Sequence, residues 1–223
     1  MKKAFLTIAL FSIVGGAMAQ DLPDQRAIVL DEDVWVTFYD LPSRRFRTIR
    51  DAFVRRDFES VSRDLEITIG FLSVEAQRAV PELKPAITEV VEQMQAMRSR
   101  LSDTSLNVGQ LDAVFARTHW LLSQQYLVFA IQARDLQMYR NAGRYLFATA
   151  HHLERSVLWS DARVTEEIVS SLDSIRDMAS KLQNSESPER VMMGKPVRLT
   201  AKTLVEIGEQ IDRRVRIAEL LPE

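Results

Sequence analysis

Val164-Thr-Glu-Glu-Ile-Val-Ser-Ser-Leu-Asp-Ser-Ile-Arg-Asp-Met-Ala-Ser-Lys-Leu182 carries the marks of an amphipathic helix along its whole length. Val164, Ile168, Leu172, Ile175, Ala179 and Leu182 recur at intervals of three and four, which places them on one face of a 3.6-residue turn. Polar and charged residues fill the other face. The same rhythm spreads outward in both directions. Ile87, Val90, Val91, Met94, Met97 and Leu101 mark one helix, and Phe58, Val61, Leu65, Ile69, Leu72 and Ala76 mark the one before it. Phe46, Ile49, Ala52 and Phe53 mark a shorter helix that Ser43 is placed to cap. Pro81 and Pro85 fall between the second and third of these stripes, where proline disfavours helical geometry in the preceding residue.

Asn107 is set to cap a long helix over residues 108–139, carrying Leu111, Phe115, Leu122, Phe129 and Leu136. Asn141-Ala142-Gly143 reads as its stop. Leu146, Ala150, Leu153 and Val157 then form another helix, turning near Ser160-Asp161. After 182 comes a polar link over 183–199, and Leu204, Ile207, Ile211, Val215 and Ala218 predict a closing helix over 200–221. The seven glycines and seven prolines fall mainly between these stripes. The fold class is therefore all-α, an antiparallel helical bundle of six to seven helices with its body at 43–182. Two helical hairpins within it share order and rhythm; either descent from one unit or convergence of amphipathic patterns accounts for that. No 34-residue period runs through the chain, which excludes a tetratricopeptide array.

The N-terminus reads differently. Lys2 and Lys3 precede an apolar run from Ala4 to Val14, Gly15 and Gly16 break it, and Ala17-Met18-Ala19 has the small-x-small form that signal peptidases cut. The run is shorter than the roughly 20 residues that a membrane span needs. Residues 1–19 are thus expected to be a cleaved signal peptide and the mature protein to work in the periplasm. Residues 20–42 read as an irregular strap, in which Val34 to Tyr39 alternates weakly, as a short strand would.

Composition narrows the function. The formal charge of −2 becomes −4 once Lys2 and Lys3 leave with the signal, which argues against a nucleic-acid partner. There are no cysteines, so thiol catalysis, thiolate metal sites and a lipid-bearing cysteine anchor are excluded, and stability rests on packing. No second apolar stretch is long enough to anchor the chain in a membrane.

Chemistry-bearing patterns are sparse. No nucleophile elbow, glycine-rich phosphate loop or His-Glu-x-x-His spacing occurs. His119, His152 and Trp159 border the helical stripes and are the candidates for holding a ligand such as haem, a metal or a lipid inside the bundle. With a turn at 141–143, however, His119 lies about 33 Å back and His152 about 15 Å forward at 1.5 Å per residue, too far apart to share an ion. No metal site and no cofactor are assigned on that ground. Met192-Met193 sits in the link and reads as a docking contact. Glu66 and Glu154 become acid–base candidates if buried. Trp35, Tyr39, Arg44 and Arg47 are the candidates for partner binding, against the alternative of a solvated, internally neutralised basic helix. Together these features favour a non-enzymatic bundle that binds a periplasmic or envelope protein, with self-association left open; a periplasmic carrier of metal, haem or lipid is the alternative.

Overall fold

The computed structural model describes residues 6–8, 28–30, 32–102, 106–185 and 187–220, with side chains over 34–102, 106–185 and 187–212. The chain divides into two units, 1–39 and 40–223. In the first, β1 (Leu6–Ile8) pairs antiparallel with β2 (Ile28–Leu30), Thr7 opposite Val29. The expected cleavage motif at 17–19 lies outside the described residues. α1 (Glu32–Trp35) and a 3-10 turn (Val36–Phe38) follow. The Val34–Tyr39 stretch is thus helical rather than extended. Thr37 donates from its hydroxyl to the Val34 carbonyl at 2.6 Å, and the rings of Trp35 and Phe38, three residues apart, lie 6.3 Å from each other.

Among the described residues the second unit holds seven long helices: α2 (Leu41–Val54), α3 (Phe58–Arg78), α4 (Lys84–Ser99), α5 (Val108–Asp135), α6 (Tyr139–Ser160), α7 (Glu166–Asn184) and α8 (Gly194–Leu220). The all-α bundle expected from periodicity is what the structure has. Among the described residues, no helix is long and apolar enough to cross a membrane.

Several starts follow the local chemistry, Asn107 as read and Asp57 and Thr165 in addition. Asp57 accepts from the Ser60 amide and caps α3. Asn107 and Gln110 form a reciprocal capping box on α5. Thr165 caps α7, whose first turn carries Glu166 and Glu167 against the helix dipole. Five boundaries differ. α2 begins at Leu41 with Pro42 in its first turn, where proline's missing N–H costs nothing, so Ser43 is released from capping. Pro85 opens α4 rather than ending α3. Val164 precedes the cap of α7 and is exposed, while Ile168, Leu172, Ile175, Ala179 and Leu182 are buried as read. α8 begins at Gly194, which shortens the expected 183–199 link. In that link Met193 docks into the core and Met192 faces solvent. Val215 and Ala218 lie in α8, but their side chains are outside those described.

The fifth difference, at the α5–α6 turn, matters most for function. The turn is at 136–138, not 141–143. Gln137 takes a left-handed conformation (φ 61°), and the Met138 and Gln137 amides close back on the Ala133 and Arg134 carbonyls at 2.8 and 2.9 Å, a C-cap of the Schellman type. Gly143 lies inside α6. A Cβ there would meet Gln183 Cγ at 2.6 Å and the Ala179 carbonyl at 2.8 Å, so this glycine permits close approach of α7. Gly208 in α8 serves Trp120 in the same manner, its missing Cβ falling 2.5 Å from the indole ring. The Trp120 Nε1–H donates to the Leu204 carbonyl at 2.7 Å and ties α5 to α8.

A buried histidine pair as the candidate functional site

Moving the turn to Gln137 leaves His119 18 residues before it and His152 15 residues after it. At 1.5 Å per residue their heights then differ by only about 4–5 Å. The contacts between α5 and α6 run in opposite order, Phe115 to Trp159, His119 to His152, Ser123 to Thr149 and Tyr126 to Tyr145, so the two helices are antiparallel. His119 Nδ1 and His152 Nδ1 stand 2.8 Å apart, and both residues are fully buried. Two sequence-chosen candidates are thereby brought together, against the separation that the misplaced turn implied.

A nitrogen–nitrogen distance of 2.8 Å is a hydrogen bond, in which one Nδ1 carries the proton and the other offers its lone pair. In the neutral pair the donor is the Nδ1–H tautomer and the acceptor the Nε2–H tautomer. His119 Nε2 is buried with no hydrogen-bond partner among the described residues. Burial holds the His119 imidazole well below its usual pKa, and the nearby His151 and Arg155 push it the same way. Desolvation also lowers His151, with Arg155 adding to it while Asp40 and Glu154 oppose it.

Aromatic rings wall the pair. Phe46 of α2 stacks on Phe115 at 4.0 Å and meets the His119 ring edge-on at 5.1 Å. Trp159 packs edge-on against Phe115 at 5.3 Å, so the third ligand candidate belongs to the same wall. Tyr126 lies flat against His152, 5.4 Å between centroids and 7° between planes. The released Ser43 hydroxyl is 2.6 Å from His151 Nε2, and the His151 ring meets His152 edge-on at 5.3 Å. Ser43, His151, His152 and His119 therefore form one continuous chain of contacts from α2 through α6 to α5.

A second polar cluster adjoins it, and sequence reasoning missed it. The Glu75 carboxylate is fully buried and accepts from the Arg78 guanidinium at 2.6 Å, from the Tyr126 hydroxyl at 3.1 Å and from the Gln125 amide. Arg78 also lies over the Phe129 ring, 5.4 Å from its centroid. Burial, then the charge of Glu75, raises the Tyr126 hydroxyl well above the usual tyrosine range. The one hint in the sequence is Glu75 and Arg78 at i, i+3 beside apolar Ala76. Gln125 and Tyr126 come from 50 residues further along and leave no local trace.

The donors fit a metal poorly. Two nitrogens each about 2.0–2.1 Å from a tetrahedral zinc stand about 3.3 Å apart, so nitrogens at 2.8 Å do not bracket one. Among the described residues no group of three or more histidines and carboxylates converges on a point. The other chemical candidates are surface groups. Glu66 pairs with Arg98 at 2.9 Å and Glu154 with Arg176 at 3.0 Å, all four substantially exposed, which removes the premise of burial for both carboxylates. The basic helix α2 is largely neutralised: Arg44 bonds Asp40, Arg45 bonds buried Asp64, and Arg50 bonds Asp112. Arg47 is exposed. Trp35 and Tyr39 are half-buried and belong to the first unit.

Comparison of the chain with known protein families, curated proteins and solved structures finds no match. Function must be argued from the residues.

Proposed function

We propose that this protein is an exported, non-enzymatic helical bundle that docks a protein partner in the periplasm along the outer stripe of α6. The observation that carries the reading is the exposure of Phe147 (46%) and Leu158 (58%) on a helix otherwise sunk in the bundle. Arg140, Arg144, Phe147, His151, Glu154 and Leu158 follow one another at intervals of four, three, four, three and four, the spacing of a helix–helix seam. Between Asn141 and Ser160 every residue off this stripe is buried, except half-buried Arg155 and Trp159. A partner's amphipathic helix fits such a seam, with Phe147 and Leu158 as apolar anchors and the charged residues as a polar rim. Arg47 lies one turn beyond Ser43, whose hydroxyl meets His151, and so borders the seam from α2. Arg44, paired with Asp40, lies farther round that helix.

Export rests on the basic start, the short apolar run and the Ala-Met-Ala motif of residues 1–19. A carrier of metal, haem or lipid draws less support, because the two histidines it needs are spent on each other.

The test is site-specific photocrosslinking in the cell envelope, with a photoreactive residue at position 147, 158 or 205. Val205 in α8 is exposed to a similar degree, 63%, and serves as the off-seam control. The proposal predicts one discrete adduct shared by 147 and 158 and absent at 205. No adduct at either seam position, or the same adducts at 205, would refute it.

A further inference from the structure

We propose that the three histidines form an acid-operated latch that fastens α2 onto the α5–α6 hairpin and lets it go when the site takes up protons. The latch has two bolts, both seated on histidine. The Ser43 hydroxyl meets His151 Nε2 at 2.6 Å, and the Phe46 ring packs edge-on against His119 at 5.1 Å. Behind them stands the His119–His152 hydrogen bond, reached through the His151 ring.

The proton count of the pair explains why acid acts here. Neutral, the pair shares two ring protons, and one Nδ1 donates to the other. A third proton on the donor's Nε2 leaves that bond in place but buries a cation. A fourth has to go to the accepting Nδ1 and sets two N–H groups head to head at 2.8 Å, which the contact does not survive. Proton uptake therefore requires water to reach the rings, and on this side the lid over His119 is α2.

Among the described residues, the carboxylates that could soften this are already held by arginines. On α6, Arg155 makes no ion pair or hydrogen bond among the described residues, its Nε is buried without a partner, and its charge disfavours protonation of both His119 and His151. Glu154 favours protonation of His151 but is held by Arg176 of α7, whose own charge opposes it. Asp40, just ahead of α2, also favours it and is held by Arg44. From α5, Tyr126 lies against His152 and stays protonated. From α3, Asp64 and Glu75 are committed to Arg45 and Arg78. Among the described residues, those that α4 and α8 bury, Ile87, Val90, Val91 and Met94 and Thr200, Thr203, Leu204, Ile207 and Ile211, do not titrate.

The experiment is hydrogen–deuterium exchange on the full mature chain, read helix by helix from pH 7.5 to 5.0 after correction for intrinsic exchange rates. Each histidine that is neutral in the closed state and free to protonate in the open one raises the opening constant about tenfold per pH unit below about 6.5. For one to two protons this gives roughly 30- to 1,000-fold between pH 6.5 and 5.0. The increase is expected in the α2 amides, residues 41–54, while α4 and α7 stay protected. His151→Gln, which keeps a hydrogen-bonding group toward Ser43 but cannot titrate, should lower the slope at α2 toward one proton. Protection of α2 that does not change with pH would overturn the latch. So would loss of protection in all helices together, which is ordinary acid unfolding. The wild-type measurement decides even where the variant folds poorly.

Discussion

Replacing Gln137 with glycine should make the protein more stable, and the sign of that change tests the turn that unites His119 with His152. Gln137 sits at φ 61°, where a side chain's Cβ crowds the following carbonyl at a cost of roughly 1–2 kcal/mol. Glycine occupies this region freely, but it costs roughly 0.5–1 kcal/mol of additional chain entropy on folding. The balance is a gain of about 0.5–1 kcal/mol, or about 1–4 °C in Tm for a chain of this length. Both backbone bonds of the cap, Met138 to Ala133 and Gln137 to Arg134, survive the change. Had α5 continued to Tyr139, position 137 would be helix interior, and glycine would cost about 0.5–1 kcal/mol. Urea titration followed by far-UV circular dichroism separates the two, provided the m value is unchanged. A lower midpoint for Gln137→Gly would refute the placement of the turn, and with it the geometric basis of the histidine pair.

Gly143→Ala should destabilise by about 1–2 kcal/mol. The overpacking cost of about 1–3 kcal/mol against Gln183 and the Ala179 carbonyl exceeds the roughly 1 kcal/mol returned by helix propensity; an unchanged urea midpoint would count against the close α6–α7 contact. Glu75→Gln should cost about 3–5 kcal/mol, because Arg78, with only 4% of its side chain exposed, loses the charge of the carboxylate it bonds at 2.6 Å. Thermal unfolding measures it, and a loss under 1 kcal/mol would mean that water reaches the cluster. Trp120→Phe removes the indole donor to the Leu204 carbonyl and should cost about 1–2 kcal/mol beyond any packing change; equal stability would show that α8 is held by apolar contact alone.

Much of the fold was legible because it follows from spacing alone. α4 and α7 declare themselves by clean apolar stripes, and Asn107 and Asp161 mark helix ends with a side chain or a backbone state suited to the task. What stayed hidden shares a cause: a residue doing something its type does not advertise. Leu136-Gln137-Met138 contains no glycine, proline or asparagine, yet it turns the chain, and Asn141-Ala142-Gly143 looks like a turn yet packs inside α6. That five-residue error alone drove His119 and His152 apart on paper. Ser43 has the chemistry of a cap, but Pro42 lets α2 start earlier and leaves the hydroxyl for His151. Glu75 was illegible because its partners come from a helix 50 residues away. Conversely, Glu66 and Glu154 needed burial to act as acid–base groups, and carboxylates on amphipathic helices face solvent more readily than core.

The most direct measurement is a nitrogen-15 NMR correlation of the histidine side chains at pH 7.5, with assignments from His119→Asn and His152→Asn. The account predicts two neutral imidazoles of opposite tautomer, one protonated at Nδ1 and the other at Nε2, with a scalar coupling across the Nδ1–H···Nδ1 hydrogen bond. Two rings of the same tautomer, without that coupling and exchanging freely with water, would contradict it.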